Sequence, residues 1–275
     1  MKTIDQNFVC IGAQKAGTTT LSDILSQHPD ICIPPIKETK FFLFDEDYAR
    51  GKTFYDSYFT NCTGQQAVGE FDPDYLLFPH TAQRIADTLG KNIRIIVMLR
   101  NPADRAYSHY LMTKKKGLEP FEFNRALEEE KNRKKNIKEQ KIYAYLERGY
   151  YGRQIEAFMK ILPRENFMFL VFEEDFLQHR EATLQKLQEF LGVAVKQLNM
   201  EVHSNEAGEA KNEVIRDLVR KPNFAKKILK AFLPSREARK KMRRFFIKSN
   251  MQKVTTPRLD SDTKENIIRQ YFMDD

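Results

Sequence analysis

The chain has 275 residues, of which 41% are hydrophobic and 31% charged, with 11 glycines and 11 prolines. That is enough apolar material for one large domain, and the composition excludes a collagenous, low-complexity or disordered chain. The net charge of +8 is unevenly spread: fourteen Lys/Arg stand against three Asp/Glu between Lys211 and Lys248, so this stretch alone exceeds the total.

No run of about 18 apolar residues is present, and the first apolar strand begins too early to leave room for a signal peptide. The expectation is a cytoplasmic protein, soluble or peripheral to the inner face of a membrane. Cys10, Cys32 and Cys62 are odd in number and lack metal-ligand spacing, so they read as free thiols in a reducing compartment, with no metal site.

In chain order, "FVCIG" (Phe8–Gly12) predicts a first buried strand, and a loop leads from it into a helix over Gly17–Gln27. Strands follow at Ile31–Ile33, Ala67–Phe71, Ile93–Leu99 and Phe167–Phe172, with helices predicted over Thr81–Leu89, Pro102–Lys116, Phe121–Lys135, Arg153–Leu162 and Arg180–Leu191. Near-continuous apolar strands separated by helical patterns predict a parallel sheet covered on both faces. The fold expected is a three-layer, doubly wound α/β domain of the P-loop NTPase-like kind, with about five strands and ligands at their carboxyl ends.

After Val193 the pattern changes. A polar loop (His203–Asn212) precedes basic helical segments broken at Pro222 and Pro234, and a last helix is predicted over Ser261–Phe272. The whole is read as one domain, with an α/β core over 1–200 and a basic helical part over 201–275.

Two segments carry chemistry. In "GAQKAGTTTL", Gly12 and Gly17 keep the spacing of a nucleoside-triphosphate loop, but Thr18 stands where that loop has its lysine, and Lys15 lies inside the loop. Thr18, Thr19 and Thr20 open a helix whose free backbone N–H groups favour an anion. In "LRNPADRAYSHY", Arg100 follows the fourth strand and Ser108 lies two turns into the next helix, a pair suited to a phosphomonoester.

Taken in this order, the two segments resemble those of sulfotransferases that use 3′-phosphoadenosine 5′-phosphosulfate (PAPS), in particular the heparan sulfate type and its bacterial relatives. "HPDICIPPIKETKFF" is similar to the stretch that follows their first helix, and weaker similarity extends to residue 212. The resemblance implies that Lys15, Ala16, Gly17, Thr18, Thr19 and Thr20 hold the 5′-phosphosulfate, that Arg100 and Ser108 hold the 3′-phosphate, and that Lys211 belongs to a late cofactor-contacting loop. It implies PAPS as donor and adenosine 3′,5′-bisphosphate as product, without a metal.

By the same resemblance, "VGEFDPDYLLFP" (Val68–Pro79) supplies Glu70 as the base for the acceptor, with Lys15 at the leaving oxygen. The family's lysine after that glutamate is replaced here by Phe71, and Asp72 is a reserve base. Lys37 and Glu38 are candidate substrate contacts; Lys37 can also be read as meeting the cofactor or as solvated surface. His28 and His109 read as structural.

The partners expected are an acceptor glycan, glycolipid or small molecule, with peripheral contact to an anionic membrane through the basic C-terminal helices. Nucleic acid is not expected, because no reader motif accompanies the charge. Two other readings stay open: a nucleotide-dependent kinase or other phosphoryl transferase on a P-loop fold, and a noncatalytic polyanion-binding protein.

Overall fold

The computed structural model of the chain describes residues 5–201, 208–210, 251–253 and 257–275. Within them, β1 (Phe8–Gly12), α1 (Thr18–Leu25), β2 (Ile31–Cys32), α2 (Asp45–Tyr48), α3 (Gly51–Asp56), β3 (Ala67–Phe71), α4 (His80–Leu89), β4 (Arg94–Leu99) and α5 (Pro102–Lys115) follow one another. They are succeeded by α6 (Phe123–Glu128), α7 (Ile137–Tyr143), α8 (Tyr151–Met159), β5 (Phe167–Val171) and α9 (Arg180–Leu191).

The five strands form one parallel sheet in the order β2-β3-β1-β4-β5. All five residues of β1 and of β3 are buried, as strands covered by helices on both faces must be. Gly69 is required where β3 passes β1, because a Cβ there would lie 2.0 Å from the Phe8 carbonyl oxygen. Leaving β1, the chain first builds one side of the sheet (β2, β3) and then crosses to the other (β4, β5). The crevice between the carboxyl ends of β1 and β4 is therefore the switch point at which such sheets bind ligands.

Several expectations are adjusted. The helix predicted over Phe121–Lys135 splits after Glu128 into a 3₁₀ turn, Glu129–Arg133. Arg133 folds back to Glu119 at 2.9 Å and to the Ala126 carbonyl at 2.9 Å, and Glu130 accepts from the Leu146 and Glu147 amides at 2.6 and 3.0 Å. The last strand ends at Val171, and Phe172–Gln178 forms a π-helical turn. The reading of three free thiols is corrected: Cys32 and Cys62 form a disulfide with their Cα atoms 5.7 Å apart, and Cys10 is free and buried. Such bridges persist in oxidising surroundings, which removes the basis for expecting a reducing compartment.

The basic segment Lys211–Lys248 and Lys211 itself lie outside the described residues. A short antiparallel pairing joins Gly208–Ala210 to Met251–Lys253, and the helix Ser261–Tyr271 docks on α5 through Lys264 to Asp104 at 2.6 Å. No helix among the described residues is long and apolar enough to cross a membrane.

Candidate functional site

Beyond β1 the chain turns through Gly12–Gly17 into α1. Lys15 has φ 73° and Gly17 φ 94°. At Gly17 only glycine serves, since the left-handed backbone is combined with the Phe172 ring 2.8 Å from where a Cβ would sit. Ala16 and Thr18 are buried, while Thr19 and Thr20 are half-buried. The first turn of α1 has neither a side-chain cap nor an acidic residue. Its free N–H groups and positive dipole end are therefore left for an anion from outside the helix.

Arg100 meets this loop directly. Its Nη1 donates to the Lys15 carbonyl oxygen at 3.0 Å, its guanidinium lies 5.1 Å from the Phe172 ring centroid, and the Tyr151 hydroxyl donates to its carbonyl at 2.9 Å. Arg100 Nε is buried without a hydrogen bond among the described residues; Glu173 is 3.9 Å away, an ion pair at long range.

Burial pushes the Lys15 ammonium down to about 8, and the charges acting most on it, Arg100, Lys116, Lys115 and Arg105, are all cations as well. No carboxylate pairs with Lys15 among the described residues. Arg105 is fully buried, donates to the Tyr145 carbonyl and, among the described residues, leaves Nε and Nη1 without partners. Ser108 is half-buried on α5, three residues after Arg105 and seven before Lys115, so the helical period puts the three on one face.

The segment before α2 also adjoins the loop. Glu38 (φ 63°) and Lys40 (φ 60°) are, with Lys15, the non-glycine residues with positive φ among those described. Left-handed backbone at such residues is strained and concentrates at working sites. Lys37 Nζ donates to Thr19 Oγ1 at 2.6 Å, so this segment touches the first turn of α1. The Glu38 side chain is 40% exposed and lies 3.1 Å from Lys40 Nζ.

Glu70 is 0% exposed. Its carboxylate accepts from Thr39 at 2.7 Å, Tyr55 at 2.9 Å and Tyr75 at 3.1 Å. Burial, followed by the Asp72 charge, pushes it up to about 7, although these hydroxyls pull the other way. It is enclosed and bonded to Thr39 of the segment that presents Glu38, with none of its surface exposed.

Beside it, Lys40 Nζ sits 2.6 Å from Asp72 and 2.7 Å from Asp74, and Asp74 also meets Arg148 at 2.6 Å and Lys141 at 3.1 Å. Burial acts to raise Asp74, but Arg148, Lys40 and Lys141 outweigh it and hold the carboxyl well below the usual range. Asp72 is likewise buried, so the reserve base is engaged by Lys40.

The structure thus joins Lys15, Gly17, Thr19, Lys37 and Arg100 in one contiguous site, and it encloses Glu70. Sequence reasoning missed Arg105 and Lys40. His28 bridges the Ala194 carbonyl and the Asp30 amide at 2.8 and 3.0 Å, and His109 is fully buried with both ring nitrogens unpartnered among the described residues.

With the geometry in place, comparison with known proteins is informative. The family model described as a sulfotransferase domain matches residues 5–267. A membrane-associated sulfotransferase of Dictyostelium discoideum is 39% identical over 107 residues, covering 38% of this chain and 22% of that protein. The heparan sulfate glucosamine 3-O-sulfotransferase 5 of Mus musculus is 25% identical over 189 residues, covering 67% of this chain and 53% of that protein. The chain therefore spans between about a fifth and about half the length of these relatives. Among solved structures, a sulfotransferase from Alicyclobacillus acidocaldarius superposes with a TM-score of 0.64 at 29% identity, covering 86% of this chain and 99% of that one.

Proposed function

The chain belongs to the sulfotransferase domain family, and from that premise we propose that it moves a sulfuryl group from PAPS to a hydroxyl or amine of an acceptor. The observation that carries this reading is the contact between Arg100 and the Lys15 carbonyl, 3.0 Å, which makes the two anion-seeking segments walls of one site. The residues fit a doubly anionic nucleotide. Lys15 is held among cations, Arg100 Nε and two nitrogens of Arg105 lack partners among the described residues, and the start of α1 carries no acidic group.

Lys15, Ala16, Gly17, Thr18, Thr19 and Thr20 would hold the 5′-phosphosulfate, with Arg100 and Ser108 on the 3′-phosphate. When bound, PAPS supplies an activated sulfuryl group with adenosine 3′,5′-bisphosphate as the leaving part. Lys15 stabilises the negative charge that develops on the leaving oxygen, the preorganised electrostatic role that contributes most in such transfers. Thr18 in place of the triphosphate loop's lysine weighs against the kinase reading.

For the base, the geometry favours Glu38 over Glu70. A general base must come within about 3 Å of the proton it takes, directly or through a water. The Glu38 side chain is 40% exposed beside Lys37, which touches the phosphosulfate turn, whereas Glu70 is fully buried and bonded by three hydroxyls. Glu70 then acts as a positioning residue, tying Thr39, and so the Lys37–Lys40 segment, to β3.

A carbohydrate acceptor is favoured by the names of the heparan sulfate relatives. The charge of Lys211–Lys248 suits either an anionic glycan or an anionic membrane surface. The test is transfer of labelled sulfuryl from PAPS to a panel of glycans and glycolipids. Glu38→Gln should abolish turnover while leaving binding of the bisphosphate intact; a Glu38→Gln enzyme with full turnover removes the assigned base.

A further inference from the structure

Two lysines meet at the loop: Lys15 lies within it, and Lys37 reaches it from the segment before α2. Lys15 is influenced most by Arg100, Lys116, Lys115 and Arg105, whereas Lys37 is influenced by Glu38, Cys10, Asp23 and Lys40. Lys37 spends one of its donors on Thr19 in the first turn of α1 at 2.6 Å. It is half-buried, and no carboxylate stands within ion-pair distance of it among the described residues. Burial lowers its pKa, and Glu38 is the first of the charges acting the other way. An ammonium carries three donors, so two remain for a ligand held at the first turn of α1.

Resting on the function proposed above, we infer that Lys37 is a second catalytic cation, which holds the transferring sulfuryl group beside Thr19, in addition to Lys15. Lys15 then serves the oxygen that leaves, and Lys37 serves the non-bridging oxygens as the group passes to the acceptor. In that step the acceptor oxygen or nitrogen bonds to sulfur and its proton goes to Glu38. The bond from sulfur to the bridging oxygen breaks, and its electron pair stays on the 5′-phosphate of the departing bisphosphate. Adjacent positions 37 and 38 would thereby present the sulfuryl-holding cation and the base from one strained segment.

The role predicts a difference between two nucleotides that are alike except for the sulfuryl group. Wild-type protein, Lys37→Gln and Lys37→Met are titrated calorimetrically, without acceptor, against PAPS and against adenosine 3′,5′-bisphosphate. Both substitutions should weaken PAPS by about tenfold, the loss of one charge-assisted contact, and leave the bisphosphate within about twofold. Lys37→Arg should recover most of the PAPS affinity. Equal weakening of both nucleotides would make Lys37 a structural residue and overturn the inference. Unchanged binding of both, with a raised KM for acceptor, would make it an acceptor contact and overturn it equally. Methionine keeps the aliphatic stem, so a fold defect confined to Lys37→Gln does not blur the outcome. If the wild-type protein bound neither nucleotide, the donor assignment would fall and the role of Lys37 with it.

Discussion

Two clusters of buried charge lie beside each other in the same core, and they are balanced in opposite ways. Lys40, Lys141 and Arg148 each sit within 3.1 Å of Asp72 or Asp74. Around Lys15, by contrast, the strongest charges are further cations, and the carboxylate nearest Arg100 stands 3.9 Å off. A buried charge must be compensated. The first cluster is compensated by the chain and holds walls together; in the second, no carboxylate pairs with Lys15 among the described residues and the one beside Arg100 stands at long range, so the pair is suited to a ligand that brings negative charge. Residue type alone does not separate the two, because both are built from lysine and arginine. The separation comes from what stands opposite.

The largest effect should come from disturbing the balanced cluster. Asp74→Ala leaves Arg148, 2% exposed, with Lys40 and Lys141 beside it, and should destabilise the fold by about 3–5 kcal/mol, read as a drop in the urea midpoint. A change under about 1 kcal/mol would mean that this cluster is no more structural than a surface ion pair.

Lys15 provides the next contrast. Its folded value of about 8 lies below the ordinary 10.5, so between these values the unfolded chain keeps a proton that the folded chain has lost. Stability should therefore rise with pH through this window. Lys15→Met should flatten that rise and abolish turnover, as followed by urea unfolding and labelled-sulfuryl transfer; an unaltered rise would show Lys15 to be solvated.

The smallest effect concerns Glu70, raised from 4.5 to about 7. Its contribution to stability is fully present below the ordinary value and is lost as pH rises through the folded one. Relative to wild type, Glu70→Gln should gain stability, by no more than about 3 kcal/mol, between about pH 5 and about pH 8 and should keep measurable turnover. Complete loss of turnover at unchanged stability would return the base to Glu70.

Much of the fold is legible in the sequence because it rests on local pattern. β1 and β3 are unbroken apolar runs, and their ends coincide with the predicted Phe8–Gly12 and Ala67–Phe71. Glycine spacing marks the loop, and Asn101 and Pro102 mark the start of α5. What escapes is decided by partners distant in the chain. Whether Glu70 is open or enclosed depends on Tyr55 and Thr39, 15 and 31 residues away, and no periodicity encodes that. Cys32 and Cys62 are 30 residues apart, and the first reads as a strand hydrophobe until its partner is seen. The left-handed turns at Glu38 and Lys40 occur at residues that carry no glycine signal. Lys37 acquires meaning only through Thr19, 18 residues earlier.

The most direct measurement is calorimetric titration of the protein, and of Arg100→Ala, with adenosine 3′,5′-bisphosphate in the absence of added metal. One saturable site is expected for the wild type, weakened by about 2–3 kcal/mol in the variant through loss of a charge-assisted contact, with the urea midpoint nearly unchanged. No binding by the wild type, or equal binding by both proteins, would contradict the claim that Lys15 and Arg100 hold one nucleotide between them.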